Sequence, residues 1–177
     1  MNSLTNILLR LGAICAAVLG LAAHYAWGEV LTDRAGRFSV DFPGHAQEQS
    51  QRVDTQAGAV VAHIFTYKGT TGGSYTVVYS DYPNGSMTNA VPDGVYEGVI
   101  NGAMGQTGGT LKSSSSVQSG GVTGREAVFA SADQKSVLRS RYFLAGDRLY
   151  QVAYEGSPGS ETGKAVVGFL DSFHILR

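Results

Sequence analysis

Gly73-Ser-Tyr-Thr-Val-Val-Tyr-Ser-Asp-Tyr-Pro83 is the stretch on which the fold turns. Tyr75, Val77 and Tyr79 alternate with Thr76, Val78 and Ser80, so both faces of a pleated strand carry side chains that pack. Glycines precede it, and Pro83, which cannot donate to a ladder, closes it. Packable residues on both faces predict a central strand covered on both sides, not an edge.

Working outward, Ala59 to Lys68 places Val61, His63, Phe65 and Tyr67 on one side of a second strong strand. Gly69-Thr-Thr-Gly-Gly73 turns it back into the central one. Gln47 to Gln56 is polar, with Val53 its only large apolar residue, and reads as an exposed edge strand. Gly36-Arg-Phe-Ser-Val-Asp-Phe-Pro-Gly44 sets Phe38, Val40 and Phe42 against Ser39 and Asp41. That is a half-buried first strand ended by Pro43-Gly44. Four strands joined by short glycine turns predict an antiparallel meander.

Beyond Pro83 the period changes. Val95, Tyr96, Val99, Ile100, Ala103 and Met104 recur at helical spacing, and Pro92 suits the first turn. Gly94, Gly98 and Gly102 form a smooth stripe that predicts close packing of this helix on a sheet, with Gly105 to Gly109 ending it. Thr110 to Gln118 is a serine-rich strand expected at an edge, Ser119 to Gly124 a loop, and Arg125 to Ala132 a further strand. Ser136 to Leu144 and Arg148 to Tyr154 make a hairpin across Ala145-Gly146-Asp147. Ser157-Pro158 reads as the start of a last helix, with Val166, Phe169, Leu170 and Phe173 on its buried face. His174 to Arg177 is a short tail of strand-like character.

The expected fold class is therefore α+β: an antiparallel meander of about six to seven strands covered by two helices. No repeat or linker divides residues 36–177, which read as one domain, with Glu29 to Ala35 a polar linker before it. Glycine stands at about twice its usual share of roughly 7%, in keeping with many short elements. The formal charge is -1 and no basic block occurs, so a nucleic-acid partner has no electrostatic footprint.

Residues 1–28 have the three parts of a secretory leader: Arg10 as the only charge, an apolar run from Leu11 to Ala23, and Ala26-Trp27-Gly28 at a cleavage position. The alternative is a retained N-terminal membrane anchor, the only membrane contact expected, at the short limit of about 20 residues for a span. Either reading exports the domain, to the periplasm or beyond the cell, or holds it outside the cytoplasmic membrane. Cys15, the single cysteine, lies in this leader, so a cleaved chain has no disulfide, thiolate nucleophile or thiolate metal site. Loss of Arg10 leaves 12 cations against 14 acids, and such a near-neutral, cysteine-free domain suits a bacterial envelope.

Phe38-Ser-Val-Asp-Phe-Pro-Gly44, Tyr79-Ser-Asp-Tyr-Pro83, Gly124-Arg-Glu126, Arg148-Leu-Tyr-Gln-Val152 and Phe169-Leu-Asp-Ser-Phe173 spread over nearly the whole domain. With strands, helix, strands and helix in that order, the chain resembles the Mog1/PsbP-like fold family, its exported bacterial PsbP-like proteins included. The resemblance implies an antiparallel sheet between helices. It also implies an accessory role, since photosystem accessory subunits, a nuclear-transport GTPase regulator and secretion chaperones share the fold. It carries over no binding residue, and the metal sites of chloroplast members have no recognisable match here. Fold alone does not fix function.

The residues themselves point to no chemistry. His45, His63 and His174 lack metal-ligand spacing, and no cofactor or metal is expected. No Gly-x-Ser-x-Gly elbow occurs, and the glycine loops lack the lysine of a phosphate loop, so no catalytic residue is assigned. His63 reads as a core or rim histidine, and Asp81 as a turn-forming aspartate or a pocket-rim carboxylate. Tyrosine is the compositional oddity, and it joins apolar area to a polar tip. The candidate partner or ligand patch is Tyr75, Tyr79, Asp81, Tyr82 and His63. The expected function is a non-enzymatic exported accessory protein that binds another envelope protein. The alternatives are a carrier or sensor of a small apolar ligand in a helix-sheet cleft and, more remotely, a hydrolase whose residues converge only in space. A flat aromatic patch favours the first, a tyrosine-lined cavity the second, and His63, Asp81 and a serine in hydrogen-bond reach the third.

Overall fold

Alternating side chains and glycine turns put most of the chain into strands. The structure, a computed structural model, describes residues 28–55, 58–70, 72–83, 85–87 and 90–177. In chain order the elements are β1 (Glu29–Asp33), β2 (Phe38–Phe42), β3 (Gln47–Thr55), β4 (Gly58–Lys68), β5 (Ser74–Asp81) and α1 (Pro92–Thr107). There follow β6 (Thr110–Ser119), β7 (Val122–Ala130), β8 (Val137–Ala145), β9 (Arg148–Gly156), a 3-10 turn at Ser160–Thr162, α2 (Lys164–Ser172) and β10 (His174–Ile175).

The main sheet has seven strands in the order β3-β4-β5-β9-β8-β7-β6, every neighbour antiparallel. As expected, β5 is interior, buried from Tyr75 to Ser80, and the polar strands β3 and β6 form the two edges. The sheet is two meanders joined along β5 and β9 rather than one, with α1 carrying the chain from β5 to the far edge.

β2 does not join that sheet. It pairs with β1 and β10 in a small separate sheet, because Phe38, Val40 and Phe42 make one apolar face that needs a second layer, not an edge partner. Glu29 to Ala35, expected as linker, forms β1 and the turn after it, paired with β2 from Glu29↔Phe42 to Asp33↔Phe38. Strand β1 is exposed on most residues, so it has no apolar alternation to read, and its partner makes it a strand.

Each face of the main sheet is closed by its own layer. On one face Val60, Ala62, Ile64, Val78, Ala127 and Phe129 meet Val95, Tyr96, Val99 and Ala103 of α1. The buried Tyr96 hydroxyl donates to the Thr123 carbonyl (2.9 Å) and accepts from the Leu144 amide (3.0 Å), fastening α1 to β7 and β8. Of the glycine stripe, Gly98 and Gly102 are buried, whereas Gly94 is exposed with open space around it. Gly105 remains inside the helix, which ends at Gly108 in the left-handed conformation (φ 60°).

On the other face β2 and α2 pack over β4, β5, β9 and β8. Phe38, Phe143 and Tyr150 surround Phe173 at ring separations of 5.6–5.7 Å, and Phe42 and Tyr75 contact Phe169 at 5.0 and 5.3 Å. Burying rings of this size contributes about 1.5–3 kcal/mol each. The last helix begins later than Ser157-Pro158 implies. Gly159 is left-handed and Gly163 extended, so the chain makes only a 3-10 turn before Lys164. Arg141 then holds the end of α2, donating to the Leu170 carbonyl and Asp171, while Glu126 accepts from Arg141 and Arg139.

Residues 1–27, which carry the leader expectation, lie outside the described residues. No described helix is long and apolar enough to cross a membrane.

Candidate functional site

An open cleft of about 640 Å³ lies at one end of the main sheet. Five separate stretches build it: the turn before β2, the end of β5, the β6–β7 turn, the β8–β9 turn with the start of β9, and the C-terminal tail. Its charged lining is Arg37, Arg148 and Arg177 against Asp81 and Asp147.

Arg148 is the frame of this site. As the register partner of Asp81 it places Nε and Nη2 each 2.6 Å from one carboxylate oxygen, the bidentate geometry that arginine alone supplies. Its Nη1 donates to the Ala35 carbonyl at 2.7 Å, and the guanidinium lies 4.7 Å above the Tyr79 ring. The Tyr150 hydroxyl donates to the Gly36 carbonyl at 2.7 Å, and the Gly36 amide donates to Asp33 at 2.6 Å. The turn before β2 is thereby clamped to β9.

The next residue is Arg37. It takes a left-handed backbone (φ 52°) although a glycine stands beside it, and Leu176 donates its amide to the Arg37 carbonyl at 2.9 Å. Left-handed geometry at a residue that is neither glycine nor Asn or Asp costs about 1–2 kcal/mol.

The tail is set by Ser119, whose hydroxyl donates to the Phe173 carbonyl (2.9 Å) and accepts from the Ile175 amide (3.1 Å). The loop expected at Ser119 to Gly124 is only the two-residue turn Gly120-Gly121, with φ of 56° and 81°. A Cβ at Gly120 would sit 2.2 Å from the Ile175 carbonyl oxygen, so glycine is what allows the tail to lie there. Arg177 then reaches over Gly121.

Both aspartates are occupied. Asp81 is held by Arg148, and Asp147 accepts the Gly85 and Met87 amides at 2.9 Å each, which hold its carboxyl below the ordinary range. Among the described residues no ion pair or hydrogen bond engages the guanidinium groups of Arg37 and Arg177. The cleft therefore presents cationic donors to solvent.

The sequence candidates divide around this cleft. Asp81 and Tyr82 line it, and Tyr79 lies beneath Arg148. His63 stacks on Tyr79 with ring centres 4.6 Å apart. Tyr75 is elsewhere, packed between Tyr154 and Phe169. The candidate tyrosines are not exposed surface: Tyr75, Tyr79 and Tyr82 are 8%, 3% and 2% exposed. A strand in mid-sheet has no free face to offer, so their rings fill the core. Burial pushes the Tyr79 hydroxyl up to about 12, and that of Tyr82 further still.

Of the three groups a hydrolase would need, two meet. Ser50 Oγ lies 3.1 Å from His63 Nδ1 at the rim of β3 and β4, where they are register partners. Asp81 is committed to Arg148. Sequence reasoning missed Arg37, Arg148 and Arg177 as site residues. They stand far apart in the chain, and only the β5–β9 pairing and the tail bring them together.

No family profile matches the sequence, and no curated protein matches it. Among solved structures, the chain is similar to the solution structure of cyanobacterial PsbP (CyanoP) from Synechocystis sp. PCC 6803, with a TM-score of 0.59 at 9% sequence identity. The match covers 91% of this chain and 98% of the other. At that identity the likeness is one of architecture, and the chain has the α+β PsbP-like fold that its strand pattern and core aromatics implied.

Proposed function

We propose that this protein is a non-enzymatic accessory protein of the bacterial envelope that binds another envelope protein through the arginine-lined cleft. The observation that carries the reading is the division of labour among its side chains. Most of the described aromatic residues are buried in two core layers, while the cleft at the end of the sheet is open and charged. Pockets for small apolar ligands are enclosed and lined mainly by apolar and aromatic groups. An open cleft built from five stretches of chain suits a segment of a macromolecule instead. The PsbP-like fold supports an accessory role by analogy only.

The domain is exported in this reading, with residues 1–28 removed on the way. Intact mass of protein isolated from the envelope tests that part, and a mass that retains those residues contradicts cleavage. Binding is tested by gentle capture of the tagged protein from its own envelope, followed by native mass spectrometry. The expected result is a stoichiometric protein companion that is lost from an Arg37→Gln/Arg177→Gln variant. A small adduct of fixed mass, released on unfolding, would show a carrier instead, and a bare monomer would count against both.

A further inference from the structure

We propose that the segment received by the cleft is acidic: a run of Asp or Glu side chains on the partner, gripped by Arg37 and Arg177. This rests on the accessory reading and names the chemistry of its partner.

Three observations converge. First, the cleft's two aspartates are satisfied internally, whereas Arg37 and Arg177, which line it, carry guanidinium groups that no ion pair or hydrogen bond engages among the described residues. A carboxylate is what such a fork binds best, through two parallel N–H···O bonds. Second, the backbone at Arg37 is held in an unfavourable conformation by contacts made on both sides of it. Arg148 and Tyr150 hold the carbonyls of Ala35 and Gly36, and Leu176 holds that of Arg37 itself. Residues in sparsely populated backbone regions cluster at ligand clamps, where surrounding structure over-determines them. Third, the tail that brings Arg177 is fixed at Ser119 and across the Gly120-Gly121 turn, so both arginines are mounted on anchored backbone. Anchoring the clamp in advance reduces the ordering cost of binding.

The test uses a fluorescein-labelled peptide of alternating glutamate and glycine, with its glutamine counterpart as control, read by fluorescence anisotropy. The glutamate peptide should bind at least tenfold more tightly than the glutamine one, and rising salt should weaken it. Arg37→Gln/Arg177→Gln should weaken it at least tenfold. Arg34→Gln, which removes an exposed arginine of the same turn that does not line the cleft, should leave binding unchanged. Arg37→Asn separates the role from folding, because asparagine tolerates the left-handed backbone. It should keep or raise the urea midpoint while weakening the peptide.

Equal binding of the two peptides, or equal loss in Arg34→Gln, would overturn the proposal. So would displacement of the peptide by an equal concentration of inorganic phosphate, which would mark a small-anion site. If the peptide fails while the envelope companion is still lost from the double arginine variant, the acidic occupant falls and the accessory reading stands. If the companion is also retained by that variant, both fall.

Discussion

Asp81→Asn is the substitution that most sharply tests how the site is built. Arg148 is 8% exposed and places Nε and Nη2 each 2.6 Å from an Asp81 oxygen, with the Ala35 carbonyl and the Tyr79 and Tyr150 rings among its other contacts. Charge-assisted hydrogen bonds contribute about 1.5–3 kcal/mol each, and orphaning one member of a buried pair costs about 3–5 kcal/mol. Here the Asp81 side chain is 56% exposed, so water replaces part of what is lost. The expected loss is about 2 kcal/mol. For a chain of this size that lowers Tm by roughly 4–8 °C. Arg148→Met leaves Asp81 facing water rather than a buried orphan charge, so it should cost less, about 1–2 kcal/mol. The double variant should be about 0.5 kcal/mol or more better than the sum of the singles. Urea unfolding followed by circular dichroism gives all three numbers, and hydrogen exchange at the Gly36 to Phe38 amides reports whether the turn before β2 loosens. An Asp81→Asn protein within about 0.5 kcal/mol of the parent, or additive singles, would refute the clamp.

Four further outcomes follow from the packing and the titrating groups. Tyr96→Phe removes a hydroxyl that serves both Thr123 and Leu144, and should cost about 2 kcal/mol in the same urea assay, with faster exchange at the Leu144 amide. Gly124→Ala puts a Cβ 2.3 Å from the Tyr142 carbonyl oxygen and 2.4 Å from the Phe143 ring. Overpacking of that kind costs about 1–3 kcal/mol or more, and a variant as stable as the parent would show the strand free to shift. Burial raises the Glu126 carboxyl, but hydrogen bonds from Arg141 and Arg139 outweigh it and leave the pKa lowered. Its contribution is therefore present above the unfolded pKa and lost as pH falls through the folded one, so Glu126→Gln should flatten the acid side of the stability profile. Glu155 is raised by burial and has the opposite sign: its contribution is lost as pH rises through the folded pKa. Glu155→Gln should remove that decline, and urea midpoints from acid to neutral pH check both.

Local rules carried far in this chain because most of its strands advertise themselves. The two-faced pattern of Tyr75 to Ser80, the polar edges at β3 and β6, and the Gly146-Asp147 hairpin all follow from side-chain alternation and turn chemistry. Strand β1 was invisible because exposed edge residues such as Val30 leave no alternation. The start of α2 was misplaced because Ser157-Pro158 is equally good chemistry for a turn, and Gly159 and Gly163 decide the matter. The site was legible only in part. Asp81 could be named as a rim residue, yet its partner Arg148 is 67 positions away and becomes its neighbour through long-range pairing. The tyrosine count alone leaves core and surface open, and a strand covered on both sides turns these rings into core.

The central claim is that a partner occupies the cleft, and site-specific photo-crosslinking in the native envelope tests it most directly. The crosslinking residue is placed at Val122 or Leu176, which line the cleft, and at Ser115 on the exposed edge strand β6 as control. The account predicts one discrete adduct protein from the two cleft positions and none from Ser115. Adducts of the same protein from Ser115, or none from either cleft position in a folded variant, would contradict it.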